Sequence, residues 1–127
     1  FAGMTVHAPP APVPLHASPD LLAAALLNLL DNSQRHGATQ AWIATQGAAD
    51  GTVTIVVRDD GSGIAEAERE RLQAALDAQD YEGRAGLGLV LADLVARAHG
   101  GRLAILQPPS GCAIELRLSG AAAAGAE

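Results

Sequence analysis

Leucines recur at helical spacing in the first third of the chain and predict an amphipathic helix over residues 19–36. The apolar positions on its buried face are Leu22, Leu26, Leu29 and Leu30. Ser18 followed by Pro19 is a strong start signal, because serine caps the first turn and proline suits the first helical position. Gly37 supplies the stop signal.

Alternating apolar and polar residues predict two β-hairpins further along the chain. The four strand-like runs cover residues 40–46, 52–59, 102–107 and 112–119. Asp50-Gly51 between the first two runs is a hairpin turn signal, and "PPSG" separates the last two. An extended connection, "APPAPVP", precedes the first helix, since its prolines exclude helix there.

Two more helices are predicted between the hairpins, over residues 65–78 and 87–99, with a polar stretch over 79–86. Gly100-Gly101 ends the second of them. Helices that alternate with hairpins indicate an α/β fold. We expect a two-layer sandwich, in which helices pack on one face of a mixed, largely antiparallel sheet.

Length and composition are those of one globular domain, with 127 residues of which 49% are hydrophobic. We expect this domain over residues 1–119 and a disordered tail over 120–127. The formal charge of −6 argues against nucleic-acid binding, because no basic stripe is available to neutralise phosphates. The single Cys112 excludes an internal disulfide, and its apolar surroundings predict a small core residue.

No run of 18 apolar residues and no signal peptide is found in the sequence. We therefore expect the chain in the cytosol, whether or not a longer protein that contains it is anchored in the inner membrane.

Two asparagines interrupt the leucines of the first helix. Asn28 and Asn32 lie one turn apart on the same face, and Arg35 and His36 extend that polar stripe. One interpretation is an ordinary solvent-exposed face. The other is that the Asn32 oxygen binds Mg²⁺, which prefers oxygen ligands and often arrives already bound to phosphates and water.

The sequence "DDGSGI", residues 59–64, directly follows a predicted strand. Asp59 ends that strand, and Gly61 and Gly63 allow turns and close approach that a β-carbon would block. This is either a common Asp-Gly turn or a carboxylate placed to accept a hydrogen bond from an adenine amino group.

The sequence "GRAGLGL", residues 83–89, leads into the helix that follows. Glycines at a helix start leave backbone N–H groups available to phosphate, although tight helix packing explains them nearly as well. A P-loop is excluded, because the chain contains no lysine.

The three motifs, in their order along the chain, resemble those of the GHKL ATP-binding superfamily. More narrowly, they resemble the catalytic and ATP-binding (HATPase_c) domain of bacterial two-component sensor histidine kinases. "NLLDNSQRH" is similar to that family's N box, "DDGSGI" to its first glycine box and "GLGL…AHGG" to its second. The resemblance covers residues 4–119. It implies a Bergerat-type sandwich that binds ATP between the N-box helix and a lid.

The resemblance also implies roles for individual residues. By the resemblance, Asn32 occupies the position of the magnesium ligand and Asp59 that of the carboxylate that binds adenine. Asn28 and Arg35 occupy catalytic positions beside the phosphates. The implied ATP-binding residues are Asn28, Asn32, Arg35, His36, Asp59, Gly61, Gly63, Ile64, Tyr81, Arg84, Gly86, Leu87 and Gly88. The implied cofactors are ATP and Mg²⁺.

Asn28 distinguishes this chain from related ATPases and anti-sigma-factor serine kinases, in which that position is typically a glutamate. An amide cannot take up a proton at neutral pH, so the resemblance favours a histidine acceptor, which is nucleophilic when neutral. None of the four histidines matches a phosphoacceptor motif. The acceptor is therefore expected on a dimerisation domain upstream of Phe1, and a response regulator is the expected further partner of an otherwise monomeric fragment.

Two other functions stay open at this point: a serine kinase or slow ATPase of the same superfamily, and a degenerate nucleotide-binding or docking module. Two departures from the family pattern support the second. Arg84 replaces an earlier glycine of the second glycine box, and residues 65–85 contain no phenylalanine, so the aromatic F box is missing.

Overall fold

The computed structural model describes residues 3–8, 18–81 and 87–119. Within these ranges, the elements are β1 (Thr5–His7), α1 (Pro19–Arg35), β2 (Gln40–Gly47), β3 (Thr52–Asp59), α2 (Glu66–Asp77), α3 (Leu87–Ala98), β4 (Arg102–Leu106) and β5 (Cys112–Ser119). Each predicted helix and hairpin is present within one or two residues of its expected ends. Most of the proline-rich connection and the predicted tail lie outside the described residues.

The five strands form one sheet in the order β1-β2-β3-β5-β4. β1 is parallel to β2, and all other neighbours are antiparallel, which confirms the mixed, largely antiparallel sheet. Alternate residues of β3 are buried beneath the helices, from Val53 through Ile55 and Val57 to Asp59. The carboxylate therefore continues the row of core side chains at the end of the strand.

Helices α1 and α3 lie antiparallel, as contacts at both of their ends show. The backbone N–H of Ser18, the α1 N-cap, donates to His99 Nε2 at 3.1 Å, and His99 Nδ1 lies 2.8 Å from the Val95 carbonyl oxygen. At the other end Gly88 approaches Asn28 so closely that a β-carbon would lie 3.2 Å from the Asn28 carbonyl oxygen. Among the described helices, none combines the length and apolarity needed to cross a membrane.

The opposite face of the sheet carries a stack of three side chains from neighbouring strands. The His7 ring stacks on Trp42 with their centroids 5.5 Å apart, and the Arg58 guanidinium carbon lies 5.1 Å from the Trp42 ring centre. The helices and the buried core thus lie on one face of the sheet, as the sequence predicts.

Cys112 is buried at the start of β5, directly opposite Asp59 on β3. Burial and the nearby Asp59 carboxylate raise the pKa of the Cys112 thiol to about 11. We expect folded protein to react slowly with a thiol reagent at pH 8, and urea-unfolded protein to react at the rate of a free thiol. Fast labelling of the folded chain would contradict the buried position.

The same pKa shift has a consequence for stability. Because the pKa of the Cys112 thiol is higher in the folded chain than in the unfolded chain, this contribution to the free energy of unfolding is fully present below about pH 9 and is lost as pH rises through about 11. Thermal melts of the wild type and Cys112→Ala over pH 7–11 should therefore converge at the alkaline end.

Candidate functional site

A cavity of about 360 Å³ opens between the end of α1, the loop after β3, and helices α2 and α3. The residues that line it are Asn32, His36, Gly63, Ile64, Ala65, Glu68, Leu72 and Leu89. Asn32 and His36 come from the N-box helix, and Gly63 and Ile64 from the "DDGSGI" loop. The fold thus brings two of the three sequence motifs directly together, with the helix of the third as a further wall.

The loop after β3 is joined to the C-terminal end of α1 by backbone contacts. The Ser62 N–H donates to the His36 carbonyl oxygen at 3.1 Å, and a β-carbon on Gly61 would lie 2.8 Å from that same oxygen. The Gly61 N–H donates to Asp59 Oδ1 at 2.9 Å. Asp59 is 5% exposed, so its carboxylate is held beneath the loop rather than in solvent.

A second close approach fixes the other side of this loop against the turn before β5. Gly63 and Gly111 both have positive φ angles, of 77° and 71°. A β-carbon on Gly111 would lie 2.0 Å from the Asp59 carbonyl oxygen, and one on Gly63 would lie 2.8 Å from the Gly111 carbonyl oxygen. Glycine is therefore required at both positions, by backbone conformation as well as by space.

The two asparagines of α1 have different surroundings. Asn28 Nδ2 donates to the Ala24 carbonyl oxygen of its own helix at 2.7 Å, and Asn28 packs beside Gly88 rather than lining the cavity. The Asn32 side chain lines the cavity and hydrogen-bonds to no other group in the described part of the chain. Its carboxamide oxygen is therefore available to a ligand.

Other residues predicted for the site lie outside the cavity wall. Arg35 is exposed and pairs with Asp31, with a distance of 3.0 Å from Nε to Oδ2. The Tyr81 hydroxyl donates a hydrogen bond to Asp93 Oδ2 at 2.8 Å. The Tyr81 ring is partly buried and packs against the hydrophobic core. Asp59 borders a second, smaller cavity of about 260 Å³ that also contacts Trp42.

The second glycine box is described in part. Leu87 is the first residue of α3 and Gly88 the second, while Arg84 and Gly86 lie outside the described residues. The predicted contacts of Gly86, Leu87 and Gly88 with phosphate, and of Arg84 with the nucleotide, stay predictions.

The sequence motifs do not predict the wall that α2 contributes to the cavity. Ala65, Glu68 and Leu72 share one face at helical spacing, and this periodicity directly after the glycine loop was the available signal. Arg71 donates to Glu68 from Nε to Oε1 at 3.1 Å, and this hydrogen bond lowers the pKa of Glu68. A stabilised carboxylate thus stands at the mouth of the cavity. Leu89 on α3 is the other apolar residue that the analysis missed.

Comparisons with known proteins agree with this architecture. A family model described as histidine kinase-, DNA gyrase B-, and HSP90-like ATPase matches residues 17–121. The sensor histidine kinase CpxA of Escherichia coli K12 is 34% identical over 113 residues, which are 85% of this chain and 24% of CpxA. The alginate biosynthesis sensor protein KinB of Pseudomonas aeruginosa is 36% identical over 65% of this chain and 14% of its own length.

Solved structures show the same fold. The ATP-binding domain of PrrB from Mycobacterium tuberculosis superimposes with a TM-score of 0.76 and 28% identity, over 94% of this chain and 82% of that domain. The chain spans about a quarter or less of the length of the curated relatives it matches. The resemblance inferred from the three motifs is confirmed: the chain belongs to the histidine kinase-, DNA gyrase B- and HSP90-like ATPase family, and it is similar within that family to the ATP-binding domains of sensor histidine kinases.

Proposed function

We propose that the chain binds Mg²⁺–ATP in the cavity between α1, the glycine loop, α2 and α3, and donates the γ-phosphate to a histidine on a separate domain. The observation that carries this proposal is the meeting of the Asn32 side chain, the glycine loop and Leu89 of α3 around one cavity. A family of ATPases and sensor kinases supplies the chemical context.

The purine is assigned to the apolar part of the cavity, where Ile64, Leu72 and Leu89 come from three different elements. Apolar walls with a few fixed polar groups are typical of small-molecule sites. Asp59 lies under the loop at the end of β3, outside the wall of this cavity, and is the proposed acceptor for the adenine amino group because it occupies the adenine-binding position of the first glycine box. The hydrogen bond from the Gly61 N–H to Oδ1 fixes the orientation of the Asp59 carboxylate. A carboxylate only accepts hydrogen bonds, so it favours a base that carries a donor, such as the amino group of adenine.

The phosphates are assigned to the polar end, next to Asn32 and to the start of α3. Asn32 fits a magnesium ligand, because its side chain lines the cavity without a hydrogen-bond partner in the described residues and Mg²⁺ commonly binds with few protein ligands. When bound, Mg²⁺ would neutralise charge that develops on the transferred phosphoryl group. The α3 helix start supplies the positive end of a helix dipole on the same side.

Asn28 supports transfer to a histidine over hydrolysis. A neutral amide cannot remove a proton from water, and its nitrogen already donates to Ala24. The phosphoacceptor is proposed on a dimerisation domain of the longer protein, with a response regulator as the next recipient, since the relative CpxA is named a sensor histidine kinase. The role of this chain is then to position and neutralise ATP.

Asp59→Asn tests the base-binding role. The wild type should gain several degrees in Tm with a non-hydrolysable ATP analogue and Mg²⁺, because ligand at a hundred times Kd adds about 2.7 kcal/mol. The carboxamide of this variant can still accept from the Gly61 N–H but brings a donor toward the adenine amino group, so the ligand-dependent shift should disappear. Asp60→Asn is the control: Asp60 bonds Thr39 and Gln40, and the shift should persist. A full shift in the Asp59 variant would contradict the assignment.

Asn32→Ala tests the metal role. In the wild type, affinity for the ATP analogue should be higher with Mg²⁺ than with a chelator, since the metal screens the phosphates. In the variant this difference should shrink, while the affinity for adenosine stays the same. Asp31→Ala, one residue away and exposed, should behave like the wild type in both measurements. Isothermal titration calorimetry gives all these values, and an unchanged magnesium dependence in the alanine variant would refute the role.

Radiolabelled ATP tests the transfer reaction. The chain by itself should retain no label, whereas the longer protein, which contains the proposed acceptor domain, should form an acid-labile and alkali-stable phosphohistidine. Steady release of phosphate by the chain itself would instead favour an ATPase function, and acid-stable label would favour a serine kinase.

A further inference from the structure

The inference concerns how α2, one wall of the cavity, is held against the rest of the fold. Within the described residues α2 buries two side chains, Leu72 and Leu76, and its remaining positions are partly or fully exposed. Two leucines are a small apolar anchor for a twelve-residue helix. Other contacts must fix its position.

The Gln73 side chain makes the most specific of these contacts. Its Nε2 donates to the Leu103 carbonyl oxygen at 3.1 Å, and its Oε1 accepts from the Ile105 N–H at 2.6 Å. β4 is at the edge of the sheet, so these outward-facing backbone groups have no neighbouring strand. The carboxamide presents one donor and one acceptor to the edge, as a paired strand would.

A second side chain completes the edge and connects it to α3. Asp93, fully buried, accepts from the Leu103 N–H through Oδ1 at 3.0 Å. Its Oδ2 accepts from the Tyr81 hydroxyl at 2.8 Å and from Arg97 Nε at 2.9 Å. Arg97 also donates from Nη2 to the Leu76 carbonyl oxygen of α2 at 2.9 Å. The polar contacts therefore join α2, β4 and α3 in one connected network.

This network lies next to the cavity wall. Gln73 immediately follows Leu72, and Glu68 lies just over one turn before it on the same helix. On α3, Asp93 is one turn after Leu89. Leu72 is therefore adjacent to Gln73 in sequence, and Leu89 is about one helical turn from Asp93. A displacement of α2 from β4 would carry Leu72 and Glu68 away from Asn32 and His36.

We infer that Gln73 is a positioning residue for the nucleotide site: it docks α2 on the edge of β4 and so sets the width of the cavity. This inference rests on the proposed function. Gln73 does not touch the cavity, so its effect on a ligand passes through the placement of α2.

Gln73→Leu tests the inference, since leucine has a similar size but neither donor nor acceptor. Apparent affinity falls in proportion to the fraction of molecules in the binding-competent state. We expect about a tenfold weaker Kd for the ATP analogue, measured by calorimetry at 10 °C, where circular dichroism must show a folded chain. Gln46→Leu is the matched control, because Gln46 is exposed at the far end of β2, and its Kd should equal that of the wild type.

Amide exchange separates positioning from a general loss of stability. In Gln73→Leu, protection of the Ile105 amide should fall by a similar factor with or without nucleotide, because the acceptor itself is gone. In Gln73→Glu, which keeps an acceptor, saturating nucleotide should restore the protection that is lost without ligand, by linkage. Unchanged protection, or lost protection with an unchanged Kd, would overturn the inference. A lower Tm with the wild-type Kd at 10 °C would do the same, because it marks a purely structural role.

Gln73→Glu covers the case in which the leucine variant fails to fold. Glutamate keeps an acceptor for the Ile105 N–H but loses the donor to the Leu103 carbonyl oxygen and to Asp77 Oδ1, and it places a second carboxylate beside Asp77. The affinity should therefore fall below that of the wild type, with the Ile105 amide still partly protected. An affinity equal to that of the wild type would overturn the inference. If the wild type binds no nucleotide, the proposed function fails, whereas the exchange data still report whether Gln73 holds the edge.

Discussion

Three backbone segments meet at the glycine loop with no space for a β-carbon between them. The loop touches the end of α1 through Gly61 and Ser62 at the His36 carbonyl oxygen, and the turn before β5 through Gly63 and Gly111. This contact places the N-box asparagine and the end of β3 on the same side of the sheet. Without it, Asn32 and Asp59 would belong to two unconnected elements, and the cavity between α1 and α2 would lose its floor.

Sequence alone predicts the elements and their order well, because the periodicities are clear and the stop signals strong. Leucine spacing predicts α1, and alternation predicts which face of β3 is buried. The glycine requirement could also be anticipated, although the sequence does not say which backbone atoms come close to Gly61 or Gly63. Local patterns specify local structure, and here they agree with the tertiary fold.

Side-chain partners are the part that sequence could not supply, because they depend on tertiary distances. Arg35 pairs with Asp31 on its own helix, and Tyr81 with a buried aspartate twelve residues later in the chain. Asn28 and Asn32 share a helix face in the sequence, yet one bonds its own helix and the other faces the cavity. Sequence spacing predicts that two residues share a helix face, but the contacts of each side chain depend on which element packs against that face.

The hydrogen bonds from Gln73 and Asp93 to the outer edge of β4 also affect whether strands of other proteins can pair with that edge. A bare sheet edge offers a row of donors and acceptors that recruits strands from other chains, which is a common route to aggregation. Gln73 and Asp93 occupy that row on β4, and the other edge, β1, is three residues long. The side chains that connect α2 and α3 to β4 therefore also occupy backbone groups through which another strand could pair with this edge.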